Sequence, residues 1–153
     1  MTADPLRGLR SRALAYLARR EYTRAELARK LGGDEAGLAG VVNAVLGELE
    51  VEGLLSDARA ADALVRARRG RLGSMRIERE LRDKGVPDDL IGDRVAVLRG
   101  EEVSAARAAW AKKFGTLPRD AAERARQGRF LQGRGFSFSA IREVLGGAME
   151  DAD

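Results

Sequence analysis

At 153 residues the chain can hold one compact domain or a short array of repeated units, and it is too short for two independent enzyme domains. Charged residues make up 34% of it and the net charge is +4; without Cys there is no disulfide framework or thiolate site, and without His the commonest neutral-pH base and zinc nitrogen are missing. Ala, Leu, Arg and Glu favour helices and no apolar stretch suits a membrane span or an export signal, so an all-α, cytoplasmic protein without a membrane role is expected.

In chain order, Leu9, Ala13, Leu14 and Leu17 recur at helical spacing and the pattern stops at Arg19-Arg20-Glu21-Tyr22, so a first helix ends there. Thr23 and Glu26 form a capping box that starts a second helix, buried through Ala25, Leu27, Ala28 and Leu31 and ended by Gly32-Gly33. The third is predicted from about Asp34 to Glu52, with Leu38, Val41, Val42, Val45, Leu46 and Leu49 inward. Ser56-Asp57 caps a fourth, with Ala61, Leu64 and Val65 inward; Ser74 begins a fifth, anchored by Ile77 and Leu81 and stopped at Lys84-Gly85. Pro87 opens a sixth, where a missing N–H costs nothing, with Leu90, Ile91, Val95 and Leu98 inward. A seventh, about Glu101 to Phe114, carries Val103, Ala106, Trp110 and Phe114; Pro118 opens an eighth that ends at Phe130-Leu131. Ser137 caps a ninth, buried through Ile141, Val144 and Leu145, and residues 148–153 are expected to form a flexible tail.

Nine short helices with brief connections invite a search for internal repeats. Leu81-x-x-Lys84-Gly85-Val86-Pro87-x-x-x-Ile91-x-x-x-Val95 returns fifty positions later as Leu131-x-x-Arg134-Gly135-Phe136-Ser137-x-x-x-Ile141-x-x-x-Leu145. A looser echo relates Leu17, Arg20, Tyr22, Thr23, Leu27 and Leu31 to Leu131, Arg134, Phe136, Ser137, Ile141 and Leu145. The expectation is three tandem three-helix repeats, at residues 9–55, 56–99 and 100–147, stacked as an elongated, curved array in which each unit buries a face it could not bury alone.

Charge follows the same rhythm: segments 1–33, 64–84 and 107–134 carry +5, +5 and +6, whereas 34–63, 85–106 and 135–153 carry −6, −3 and −3. Aligned along stacked units, the positive segments would form a basic stripe; the competing reading is mutual neutralisation between neighbouring helices.

No catalytic or phosphate-loop motif is present: Gly133-Arg134-Gly135 is followed by Phe138 where a dinucleotide fingerprint needs its third Gly. The pairs Asp88-Asp89 and Glu101-Glu102 fall at helix starts, where negative charge complements the dipole. The expectation is a binding protein with no catalytic residues, metal or cofactor. Tyr22 and Phe136 occupy corresponding turns and suit hydrophobic staples better than base stacking, and Trp110 and Phe114 suit a core.

Three of these segments carry a family resemblance. The run from Ala13 to Leu31, a helix, an Arg-Arg-polar-aromatic turn and a Thr-capped Glu-Leu helix, resembles the opening of the RecX family. Arg76-Ile77-Glu78-Arg79-Glu80-Leu81-Arg82-Asp83-Lys84-Gly85-Val86 is similar to its Arg-Ile-x-x-Glu-Leu-x-x-Lys-Gly-Ile segment, and Phe130 to Ser137 to its C-terminal Arg-Gly-aromatic signature. The motifs keep the family's order and cover the chain from about Leu9 to Leu145. Two departures bear on local packing: Arg59-Ala60 stand where the family usually has a Phe after the Asp matching Asp57, and the acidic insert between the second and third helices is short.

The resemblance implies a regulator that binds the RecA recombinase filament on single-stranded DNA and inhibits its ATPase and strand exchange, in recombination, DNA repair and the SOS response. A monomer with weak, non-specific affinity for single-stranded and also double-stranded DNA is expected. Arg19, Arg20, Arg24, Arg66, Arg68, Arg69, Arg71, Arg76, Lys84, Lys112, Lys113, Arg129 and Arg134 are the expected basic stripe. A second reading is a winged-helix transcription regulator, from Thr23-Arg24-Ala25-Glu26-Leu27 and the following Leu46-x-x-Leu49-x-x-x-Gly53-Leu54-Leu55, but the chain then enters a Ser56-Asp57-capped helix where two wing strands should be. A helical adaptor for another protein is a third.

Overall fold

Nine α-helices and no strand occur among the residues described by the computed structural model, 5–146. In order they are α1 (Pro5–Leu17), α2 (Arg24–Lys30), α3 (Ala39–Val51), α4 (Asp57–Arg68), α5 (Ser74–Asp83), α6 (Asp88–Gly100), α7 (Glu102–Lys113), α8 (Ala121–Gly133) and α9 (Phe138–Leu145). They follow one another as three three-helix repeats, α1–α3, α4–α6 and α7–α9. The expected tail, 148–153, lies outside the described residues. No described helix is long and apolar enough to cross a membrane.

The described chain divides into two compact units, the first ending at Ala63 and taking in Leu81–Leu90, the second made of Leu64–Glu80 and the chain from Ile91 onward. In the first, α1 and α2 pack on α3 over a core that includes Ala13, Leu27, Leu31, Val45, Leu46 and Leu49. In the second, α7, α8 and α9 pack on one another around Ala106, Leu131, Phe136, Ile141 and Val144. Several positions expected to face inward are only half-buried, among them Ala25, Ala28, Leu64, Val65, Trp110 and Phe114.

The fifty-residue spacing has a structural meaning. It carries α2 onto α5 and α5 onto α8, and the anchors at those steps, Leu27, Ile77 and Gln127 and then Leu31, Leu81 and Leu131, are all buried. Gln127 is tolerated there because its amide is satisfied on both sides, accepting from Trp110 Nε1 at 2.8 Å and donating to the Thr116 carbonyl at 3.1 Å. The looser echo of α1–α2 in α8–α9 is out of phase with this repeat. It reflects what any helix end followed by a capped helix shares.

The turns ending α5 and α8 are the same turn. Gly85 and Gly135 sit at φ +79° and +88°, Val86 N donates to Leu81 O at 3.1 Å, and Phe136 N donates to Leu131 O at 3.2 Å. Each turn docks on the start of the preceding repeat's middle helix. Thr23 Oγ1 donates to the Lys84 carbonyl, and Gly73 N donates to the Arg134 carbonyl at 2.7 Å. A Cβ on Gly85 would collide with Ala25 Cβ, and one on Gly135 with Arg76 Cβ.

A second device recurs beside it. Asp57, the first residue of α4, accepts from Arg24 N at the start of α2 at 2.8 Å. Glu102, the first residue of α7, accepts from Ser74 N at 3.1 Å and from the Ser74 hydroxyl. Each repeat after the first therefore opens with a carboxylate that caps the middle helix of the repeat before it. Glu102 is 6% exposed, so its role exceeds the dipole complement expected of Glu101-Glu102; Glu101 instead pairs with Arg69.

Three helix starts differ from expectation. α3 begins at Ala39 rather than Asp34, because Gly32 and Gly37 hold positive φ and residues 32–38 form successive turns. Pro87 precedes the first residue of α6 rather than occupying it. α8 starts at Ala121, not at Pro118, because Asp120 accepts from Glu123 N while the Glu123 carboxylate takes Arg119 N, each at 2.8 Å, and it continues past Leu131 to Gly133.

Candidate nucleic-acid interface

The thirteen cations expected to form a stripe fall into two classes. Arg20, Arg24, Arg68, Arg69 and Lys84 are neutralised within the chain, meeting Glu26, Glu50, Glu80, Glu101 and Glu26 respectively. Neutralisation, the competing reading of the charge rhythm, holds for these five. Arg19, Arg66, Arg71, Arg76, Lys112, Lys113, Arg129 and Arg134 have no carboxylate partner among the described residues; Arg76 instead donates to the Gly133 carbonyl at 2.9 Å.

Glu26 shows how the paired class is built. Its carboxylate accepts from Thr23 N at 3.0 Å, from Arg20 at 3.1 Å and from Lys84 Nζ at 3.2 Å. Burial alone would push this carboxyl up; the Thr23 N–H, Arg20 and Lys84 outweigh it and hold the group below its ordinary value. Arg20 also lies 3.6 Å over the Tyr22 ring. These cations organise the α1–α2 turn.

Four cations of the unpaired class converge in the second unit. Arg71, Lys112, Lys113 and Arg134 line a cavity of about 420 Å3 together with Gly70, Ala109 and Phe130, and no carboxylate lines it. Each arrives for a local reason. Gly70, at φ +81°, ends α4 in a left-handed turn and leaves Arg71 just past it. Lys112 and Lys113 stand in the last turn of α7, where the helix dipole favours positive charge. Arg134 is the C-cap residue of α8, one helical turn beyond Phe130.

Phe130 is the part of this site that the reading of cations missed. Its ring has the Arg134 guanidinium 4.9 Å from its centroid, Lys113 Nζ at 5.7 Å, and Phe114 edge-on at 5.4 Å. The signal was the four-residue step from Phe130 to Arg134. Arg129, its neighbour in sequence, lines a different groove of about 630 Å3 between α8 and α9, where Phe138 is 71% exposed beneath Arg142. Arg19 and Arg66 are exposed elsewhere. Tyr22 and Phe136 are 6% and 2% exposed and share cores with Leu27 and Ile141, four residues past the caps Thr23 and Ser137, which is the staple arrangement.

Comparison with known proteins agrees with this architecture repeat by repeat. Residues 10–49, 56–93 and 100–145 match the models for the first, second and third three-helix domains of RecX. The regulatory protein RecX of Leptothrix cholodnii is 48% identical over 141 residues, covering 92% of this chain and 89% of that protein. That of Ralstonia pickettii is 43% identical over 148 residues, covering 95% and 92%. The crystal structure of RecX from Lactobacillus salivarius superimposes with a TM-score of 0.72 at 21% identity, over 94% of this chain and 96% of that one, a likeness of fold. With three domain models matched in order and relatives above 40% identity over nearly the whole chain, this protein belongs to the RecX family.

Proposed function

We propose that this chain is a cytoplasmic regulatory protein, without catalysis of its own, that binds the RecA recombinase filament on single-stranded DNA and inhibits its ATPase and strand exchange. The observation that carries the reading is the set of four cations, Arg71, Lys112, Lys113 and Arg134, gathered without a carboxylate at the C-terminal ends of α4, α7 and α8 in a RecX-family fold. Unpaired cations attract phosphate and acidic side chains, whereas paired ones have spent their charge inside the chain. That its relatives in Leptothrix cholodnii and Ralstonia pickettii are regulatory proteins supports a regulator rather than an enzyme.

The repeats, at residues 9–55, 56–99 and 100–147, each offer a surface. Contacts spread over several of them add through effective concentration, so a monomer with modest contacts can hold a filament firmly. Preference for one filament state then opposes the change of state that ATP turnover requires. The winged-helix reading lacks its wing, since no strand occurs among the described residues.

The test is the ATPase rate of RecA on single-stranded DNA as the protein is titrated in. Inhibition well below one molecule per RecA protomer is expected. An unchanged rate at excess protein, with free DNA still bound, would overturn the proposal.

A further inference from the structure

We propose that the groove between α8 and α9 receives a helix from a second copy of this chain, and that the helix is α6. This contact lies outside the regulatory function proposed above and needs neither RecA nor nucleic acid.

The walls of the groove suit a helix. Along α8, Ala121, Ala125, Gly128 and Gln132 recur at steps of four, three and four, so one helical face lines it for about 16 Å, or three turns. The Ala and Gly side of that face leaves room for a second helix backbone to come close. From α9 come Leu145 and Phe138, the latter 71% exposed. An apolar helix stripe gains from such a surface, whereas a polar extended chain loses its water there.

Charge narrows the occupant. Arg129 and Arg142 line the groove, no carboxylate does, and Arg129 has no carboxylate partner among the described residues. Arg124 lines it too, but donates to the Leu145 carbonyl at 3.1 Å and the Gly146 carbonyl at 2.6 Å. The occupant is therefore a helix that carries carboxylates beside a small or apolar stripe.

That combination is present on α6. Gly92, Ala96 and Gly100 stand four residues apart and are exposed, and Val97 beside them is 57% exposed. Asp93 adjoins the stripe and Asp89 stands in the first turn of the same helix; neither has a cation partner among the described residues. A comparable run on α3, Gly40, Ala44 and Gly47, is followed by Glu48 and Glu52, which already meet Arg10. The stripe of α6 is exposed in its own chain, so a second copy is what brings it to the groove. One helix in one groove belongs with small, transient interfaces, so the chain is monomeric when dilute and associates when concentrated.

The experiment is sedimentation velocity of the full chain, without DNA, over a series of protein concentrations, with folding checked by far-UV circular dichroism. The parent's sedimentation coefficient is expected to rise with concentration. D89R/D93R and R129E/R142E should each move the midpoint of that rise roughly tenfold or more upward, because like charges then face each other across the contact. D89R/D93R/R129E/R142E keeps the parent's net charge and exchanges the signs of the two surfaces, so its midpoint should return close to the parent's. The proposal is overturned if the parent stays monomeric at the highest concentration, or if the fourfold variant associates as weakly as either double variant. It is also overturned if R129E/R142E folds and associates as the parent does, which would mean that α6 pairs with α6 or that the groove serves a different partner.

Discussion

Individual side chains show where stability is concentrated. Glu26 completes a capping box and draws in cations from either side, Arg20 and Lys84. Its native carboxyl sits below the ordinary value of 4.5, so its contribution is fully present above that value and is lost as pH falls through the lower native one. Urea denaturation of E26Q should show a deficit of about 1–2 kcal/mol at pH 7. That deficit should shrink as pH drops below about 4.5; one that is constant with pH would mean the charge does not matter. Two glycines separate backbone strain from collision. Gly70 and Gly135 both hold positive φ, but only Gly135 has a neighbour in the space a Cβ would fill. G70A should cost about 1 kcal/mol and G135A roughly 2–4 kcal/mol in the same assay. Equal losses would show that the Arg76 backbone yields freely.

Among the elements, the short helices depend on neighbours for their ends. α2 has seven residues and α5 ten, lengths at which a helix in water is marginal unless its ends and one face are satisfied. The carboxylates of Asp57 and Glu102 supply that from the next repeat in sequence. E102A strands the buried start of α5 and should cost about 2–3 kcal/mol, whereas D57A, at a partly exposed site, should cost about 1 kcal/mol. Hydrogen exchange should place the added opening at Ser74 to Ile77 in E102A. Protection lost uniformly along the chain would argue that Glu102 acts through general packing instead. Sequence reading found these helices because their caps and apolar steps are local. It misplaced the starts of α3 and α8, where glycine turns after Gly32 and the side chains of Asp120 and Glu123 compete with the nearest helix signal.

For the molecule as a whole, the informative variants are those that break no internal ion pair. Reversing Arg68 and Arg69 would also break their pairs with Glu80 and Glu101, so loss of function there would have two causes. K112Q/K113Q removes cations that have no carboxylate partner, and should keep the parent's melting temperature while requiring roughly tenfold more protein to inhibit the RecA ATPase by half. Full inhibition at the parent's concentration would place the functional contact elsewhere on the chain.

The sequence by itself determined the all-helical class, the three-repeat order and most of the buried positions, because apolar periodicity, caps and glycine stops are set within a few residues of chain. Which cations are spent and which remain was decided only by the tertiary structure. Arg69 and Arg71 are two positions apart, yet one meets Glu101 and the other faces a cavity with Lys112, Lys113 and Arg134. Ion pairing depends on distances across tens of residues, and a charge count along the chain holds no information about them.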